Sequence, residues 1–144
     1  MTLPTGGTAK VIAGKVEIDG NATAGPIQGV TTEPTYLDIT LPAGAHFTHG
    51  IDPHHSAFLY PYEGRVDVGP KNGTARTLSS HSAGVLTAGD RIEVTAGPEG
   101  ARFLVLAGRP LKEPVVQYGP FVMNTRQEIE QAVRDYQSGA LTRA

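Results

Sequence analysis

Histidine offers the most versatile chemistry in this sequence, and four of the five histidines fall between His46 and His55. Such a cluster could bind a metal ion or transfer protons, because imidazole is a common metal ligand and titrates near neutral pH. However, His54 and His55 are adjacent, so on a strand they would point to opposite faces and could not chelate together. His46 and His49 have helical spacing in a region that we interpret as extended. We therefore favour hydrogen-bonded or solvated histidines near a turn over a metal or acid–base cluster.

The composition excludes several other kinds of chemistry. The 144 residues include no cysteine, which rules out disulfides and thiolate metal sites. The net charge is −2, with 12 basic and 14 acidic residues and no basic run, so we expect no direct contact with nucleic acid. No apolar stretch approaches the roughly 20 residues that span a bilayer, and the first residues lack a signal-peptide pattern. We predict a cytoplasmic protein without membrane contact, formed by a single domain over 1–144.

Short apolar runs separated by glycine and proline turns predict an all-β fold. The clearest run is Thr35–Leu41, in which Leu37, Ile39 and Leu41 alternate with more polar side chains, as in a strand with one buried face. Short strands at regular spacing are typical of a sandwich or barrel. We predict a break at residues 96–98, between a strand at 91–95 and a strand at 102–107. The predicted strands cover residues 9–13, 15–18, 35–41, 56–62, 65–69, 84–86, 91–95 and 102–107.

One segment near the C-terminus has the pattern of an α-helix, predicted over about 125–138. Either Asn124 or Thr125 could cap its start, with an acidic or amide side chain three residues later. Apolar residues then follow the i, i+3, i+4, i+7 spacing of an amphipathic helix, and Gly139 fits just past its end. The apolar positions of this predicted helix are Ile129, Ala132, Val133 and Tyr136.

Two groups of motifs resemble the pirin family. Residues 110–125 read PLKEPVVQYGPFVMNT, which is similar to the pirin C-terminal signature PL-x-EPV-x-x-x-GPFVMNT, and an EI pair follows in the predicted helix. Further upstream, YLD at 36–38, PAGA at 42–45, AFLY at 57–60 and ARFLVLAG at 101–108 resemble the pirin C-terminal barrel. The likeness runs from about Val11 to Gly139 and implies a cupin (jelly-roll-like) β-barrel with one C-terminal α-helix.

The pirin resemblance also implies an architecture and an activity. Pirins are bicupins with two stacked barrels, and the N-terminal barrel holds iron through a His-x-His motif, a later histidine and a glutamate. Some bacterial members oxidise quercetin, and animal members are described as nuclear transcriptional coregulators. This sequence has no segment resembling the N-terminal barrel, so we expect no cofactor in this chain.

A search for cupin metal ligands supports that expectation. Counting back from the Glu63-Gly64 turn gives two possible registers for the ligand positions, and the later histidine is absent after Gly97-Pro98. Only Asp52 could bind a metal in either register, with His54 beside it as a weak alternative. The ligand positions are Gly50, Asp52 and Ser56 in one register, and Ile51, Pro53 and Ala57 in the other.

The barrel interior could instead hold a small molecule. If Ser56, Phe58 and Tyr60 face inward, they would line a small pocket with His54 at its mouth. The simpler interpretation is that such rings only fill the barrel, as inward side chains of small barrels usually do. No catalytic residue is identified in this chain.

Three functions remain open on this sequence. The first is a non-catalytic interaction or regulatory module that forms a homodimer or pairs with a separate iron-binding cupin barrel, because a single pirin barrel would expose apolar surface. The second is a quercetin 2,3-dioxygenase-type enzyme, or part of one, with a relocated metal. The third is a small-molecule-binding cupin sensor. We favour the first.

Overall fold

The computed structural model describes residues 1–18, 20–29, 31–70 and 73–142, and it divides into two units, Met1–Pro110 and Leu111–Ala144. The structure confirms an all-β fold with one C-terminal α-helix. The assignment of the whole chain to one domain stays a prediction. The strands are β1 (Thr8–Ala13), β2 (Lys15–Ile18), β3 (Asn21–Ala24), β4 (Thr35–Leu41), β5 (His46–Gly50), β6 (Ser56–Val68), β7 (Arg76–Leu78), β8 (Gly84–Val85), β9 (Arg91–Gly108), β10 (Val116–Tyr118) and β11 (Phe121–Met123).

The first unit is built around two long strands, β6 and β9. They pair with each other antiparallel along most of their length, in a sheet of order β1-β4-β9-β6-β7. The first half of β9 also pairs with β5 and its second half with β4, so the two halves have different partners. This bent arrangement wraps the sheet around one interior, while β2 and β3 form a separate hairpin.

Aliphatic and aromatic side chains from alternate strand positions fill that interior. The predicted alternation in β4 is confirmed, because Leu37, Ile39 and Leu41 are almost wholly buried. Phe103 of β9 lies at the centre, with no exposed surface, and its ring meets that of Phe47 edge-on at 6.1 Å between centroids. Such alternation follows from the two-residue period of a strand.

The predicted break at residues 96–98 is wrong. The chain continues through Ala96, Gly97 and Pro98 as part of one strand, β9, and the two predicted runs at 56–62 and 65–69 likewise form the single strand β6. Glycine and proline usually interrupt strands, but here the long-range pairing between β6 and β9 outweighs that local preference.

An irregularity in the β6–β9 pairing explains why Gly64 is needed. The register shifts on both sides of Gly64, which has a φ of +69°, in the left-handed region that favours glycine. A β-carbon added there would overlap the carbonyl oxygen of Gly100. The strands can approach this closely only because Gly64 lacks a side chain.

The second unit contains the hairpin of β10 and β11, the helix α1 (Arg126–Gln137) and a short 3-10 turn at Ala140–Thr142. Thr125 caps the helix: its side-chain oxygen accepts a hydrogen bond from the Glu128 backbone N–H, and the Glu128 carboxylate accepts one from the Thr125 backbone N–H. The Thr125 hydroxyl also donates a hydrogen bond of 2.8 Å to the Glu128 carboxylate, and this bond, followed by the one from the Thr125 backbone N–H, lowers the pKa of Glu128. Within the described ranges, no helix has the length and apolar character needed to cross a membrane.

Candidate functional site

A cavity of about 650 Å³ opens in the first unit, among the strands β6, β7, β8 and β9. Its inner wall is apolar and continuous with the core, where Ala57 and Ile92 are buried. A volume of this size is typical of small-molecule sites. The larger apolar side chains of the lining, with Ala57, are Ile51, Val68, Leu78, Val85, Leu86 and Ile92.

His55 places a buried imidazole in this cavity. Its side chain is 7% exposed, and its Nε2 atom has no hydrogen-bond partner among the residues that the structure describes. Oε2 of Glu33 lies 3.6 Å from this nitrogen, within ion-pair range but too far for a hydrogen bond. That carboxylate already accepts a hydrogen bond of 2.8 Å from Arg109. Buried polar atoms are normally paired, so this nitrogen is an exception that needs an explanation.

Charged residues complete the lining of the cavity. Arg76 and Arg91 both line the cavity, and both residues are exposed to solvent. The carboxylate of Glu93 lies 3.7 Å from Arg91, so the two form a loose ion pair. With two guanidinium groups against one carboxylate, the charged part of the lining is net positive and favours an anion over a cation.

His49 is a second buried histidine, separate from the cavity lining. It lies on β5, is 8% exposed, and its ring stacks on that of Phe47 with 6.3 Å between centroids. Burial in these surroundings penalises the charged imidazolium and lowers the pKa of His49. The sequence interpretation of solvated or hydrogen-bonded histidines therefore missed this core position.

The lowered pKa of His49 predicts a loss of stability in mild acid. When the pH falls below 6.5, the ordinary pKa of histidine, His49 takes up a proton in the unfolded chain but resists it in the folded chain. The free energy of unfolding therefore falls as the pH falls. Urea unfolding from about pH 7.5 to about pH 5.5 should show this decline, and His49→Leu should flatten it. His54→Gln, at an exposed histidine, should keep the wild-type slope. An unchanged slope in His49→Leu would contradict burial of this imidazole as the cause.

Asp52 and His54, the alternative metal ligands suggested by the sequence, lie in a surface turn. Oδ1 of Asp52 accepts hydrogen bonds from the backbone N–H of His54 at 2.8 Å and lies 2.9 Å from its Nδ1. The backbone hydrogen bond is the main reason why the pKa of Asp52 is lowered. The His54 side chain is 87% exposed. Across the described residues, no three histidine, cysteine or acidic side chains are grouped closely enough to hold a metal.

The other histidines form local hydrogen bonds. The ring nitrogens of His46 lie 3.1 Å from the Thr95 hydroxyl and 3.0 Å from the Thr48 hydroxyl. His81 is exposed and contacts the hydroxyl of Ser80 beside it. These positions agree with the interpretation drawn from the sequence for His46, His54 and His81.

The inward orientation assumed for Ser56, Phe58 and Tyr60 is wrong. In this part of β6 the buried residues are Ala57, Leu59 and Pro61, so the alternation is the opposite of the assumed one. Ser56 and Phe58 are exposed and Tyr60 is half-buried. Because side chains alternate with period two, a one-residue difference in register moves the whole set to the other face. None of these three residues, nor His54, lines the cavity.

Phe58 and Tyr60 instead belong to an apolar area on the outer face of the sheet, which we call the sheet-face patch. Cross-strand pairing places its side chains in two rows over β4, β9, β6 and β8. All of them are at least partly exposed, and Val85 is 83% exposed. The members of the sheet-face patch are Tyr36, Phe58, Tyr60, Val85, Leu104 and Leu106.

A polar network borders the sheet-face patch. The Tyr62 hydroxyl donates a hydrogen bond of 2.6 Å to Asp38, and the guanidinium of Arg102 lies 5.0 Å from the centre of the Tyr62 ring. Arg102 also donates to Glu63 at 3.0 Å. Partial burial and the Asp38 carboxylate raise the pKa of Tyr62. An apolar centre with a polar border is the usual anatomy of a protein–protein interface.

Comparison with known families assigns the chain to a family. The model of the Pirin C-terminal cupin domain matches residues 36–142, from β4 through the end of the described C-terminal unit. The chain belongs to this family.

Relatives of this pirin-type domain are about twice as long. A putative quercetin 2,3-dioxygenase of Pseudomonas aeruginosa is 44% identical over 96% of the chain, which is 48% of that protein. Human pirin is 39% identical over 84% of the chain and 42% of its own length. The crystal structure of a quercetin 2,3-dioxygenase from Acinetobacter baumannii, 31% identical, superposes with a TM-score of 0.78 over 97% of this chain and 46% of that one. The chain thus spans about half the length of these relatives.

The residues of this pirin-type domain do not fit the iron that the resemblance implies for an N-terminal barrel. Ile51 and Ala57, two ligand positions of the second register, line the cavity with hydrocarbon that cannot donate to a metal. The same lining includes Arg76 and Arg91, whose positive charges repel a cation. We therefore assign no step of iron chemistry to this chain.

Proposed function

We propose that this chain is the non-catalytic half of a two-barrel pirin-type unit and that its sheet-face patch packs on a second cupin barrel. The proposed partner is the kind of domain that forms the other half of the longer relatives. The single observation that carries the proposal is the patch itself, in which paired rows of large apolar side chains remain at least partly exposed on an otherwise ordered sheet.

The composition of the patch supports an interface with a protein. Phe58, Tyr60 and Tyr36 supply aromatic surface, and aromatic residues are enriched at the energetic centres of interfaces. Exposed apolar surface contributes about 25 cal/mol per Å² when it is buried, so a contiguous patch favours a partner. A partner of matching size is expected because the longer relatives contain about as many residues again.

The lining of the cavity supports the non-catalytic part of the proposal. Its ionisable groups are one imidazole, two guanidinium groups and one carboxylate, beside hydrocarbon at Ile51 and Ala57, two ligand positions of the second register. Two of the relatives carry the name quercetin 2,3-dioxygenase. We propose that any such activity of a complete two-barrel protein resides in the other barrel.

A reconstitution assay tests this division of roles. Quercetin oxidation would be measured with ferrous iron for this chain alone, for the half of the P. aeruginosa relative that the chain does not match, and for the two together. We expect no turnover and no stoichiometric iron for this chain alone. Turnover by the isolated chain would contradict the proposal, as would tight binding of one iron per chain.

A further inference from the structure

The unpaired nitrogen of His55 points to a ligand. The side chain is more than nine-tenths buried and lines the 650 Å³ cavity, yet its Nε2 atom has no hydrogen-bond partner among the described residues, because the Glu33 carboxylate stays 3.6 Å away and accepts from Arg109. A buried polar atom without a hydrogen bond destabilises the folded state, and an apolar residue of similar size would avoid that penalty. A polar group on a bound molecule would satisfy this atom.

The wall around His55 suits an apolar molecular body. Ala57 and Ile92 are buried at the inner wall, while Val68, Leu78 and Leu86 are partly buried and pack on the core. Sites for small molecules usually combine such an apolar lining with a few polar groups that fix the orientation of the ligand.

The charged residues of the cavity select for a negative group. Arg91 is only loosely paired with Glu93, at 3.7 Å, and Arg76 forms no ion pair within the described part of the chain. The acidic neighbour Asp67 accepts a 2.6 Å hydrogen bond from Thr77. Guanidinium groups bind carboxylates through two parallel hydrogen bonds, which makes arginine the usual residue for this task.

We propose that this cavity binds a small organic acid with an apolar body. The carboxylate would contact Arg76 and Arg91, and a hydroxyl or carbonyl group elsewhere on the molecule would hydrogen-bond to Nε2 of His55. This ligand site is independent of the proposed pairing of barrels, because the cavity lining and the sheet-face patch share only Val85.

Three related probes separate the contacts. 6-Hydroxy-2-naphthoate carries both groups, 2-naphthoate lacks the hydroxyl, and 6-hydroxy-2-naphthamide lacks the charge. Titration followed by two-dimensional NMR of the amide groups should show binding of the first probe with shifts confined to the cavity lining. The neutral amide and the probe without hydroxyl should each bind about three- to tenfold more weakly. Absence of binding, or shifts spread over other surfaces, would overturn the proposal.

Variants of the protein provide the matching comparison. Arg76→Gln and Arg91→Gln should each weaken the binding of 6-hydroxy-2-naphthoate by roughly tenfold. Arg65→Gln, at an exposed arginine outside the cavity, should leave the Kd unchanged. His55→Leu should fold with an unchanged or higher melting temperature and should bind both naphthoates equally. Equal affinity of all variants would contradict the site. A continued preference for the hydroxyl in His55→Leu would contradict the role of His55.

Discussion

Phe58→Asp should abolish most of the binding between this chain and a second cupin barrel. Phe58 lies in the centre of the sheet-face patch, paired across strands with Leu106 and Val85. Replacing it removes apolar contact area and buries a carboxylate in the interface, so we expect a loss of about 2 to 4 kcal/mol, or roughly 30- to 1,000-fold in Kd. Isothermal titration calorimetry against the unmatched half of the P. aeruginosa relative measures this change.

The matched control for Phe58→Asp is Thr48→Asp. Thr48 is exposed on β5, which pairs with the other half of β9, so this substitution adds the same charge away from the sheet-face patch. It should leave the Kd unchanged, and circular dichroism should show that both variants fold. Equal Kd values for Phe58→Asp and the wild type would place the interface elsewhere. Light scattering on the wild-type chain alone distinguishes a homodimer, which Phe58→Asp should also weaken.

Phe103→Ala should strongly destabilise the folded state of the first unit. Phe103 is fully buried where β9 pairs with both β4 and β6, and it contacts Phe47 edge-on. Truncating a buried phenylalanine leaves a cavity in a closely packed core, at a cost of about 3 to 5 kcal/mol. Equilibrium urea unfolding measures the change in the free energy of unfolding.

Leu104→Ala is the control within the same strand. Leu104 lies next to Phe103 but faces outward in the sheet-face patch and is half-buried, so its truncation leaves no core cavity. We expect a cost of no more than about 1.5 kcal/mol. A similar cost for both variants would contradict the assignment of inward and outward faces in β9.

Strong local patterns made parts of this fold predictable from the sequence. In Thr35–Leu41 only one face is aliphatic, so the buried set could be identified, and the observed strand has the same bounds. The helix start was predictable because a capping side chain and Glu128 stand three residues apart. The pirin signature added the architecture, which the periodicity alone left open between a sandwich and a barrel.

Strand β6 shows why the cavity residues were missed. Its sequence is apolar at both parities, aliphatic at Ala57 and Leu59 and aromatic at Phe58 and Tyr60, so the pattern did not decide which set faces inward. Pairing with β9 decides it by setting Ala57 opposite Ala107. In the turn just before this strand, the side chain of His55 is buried, whereas that of His54 is exposed. Only contacts distant in sequence carry this information, as they also do for the uninterrupted strand β9.

The mass of a mixture, measured by light scattering after size exclusion, tests the central claim most directly. This chain and the unmatched half of the P. aeruginosa relative would be combined in equal amounts. The proposed pairing of barrels predicts a single species with the summed mass of one copy of each. Two separate species, each with the mass that it has alone, would contradict it.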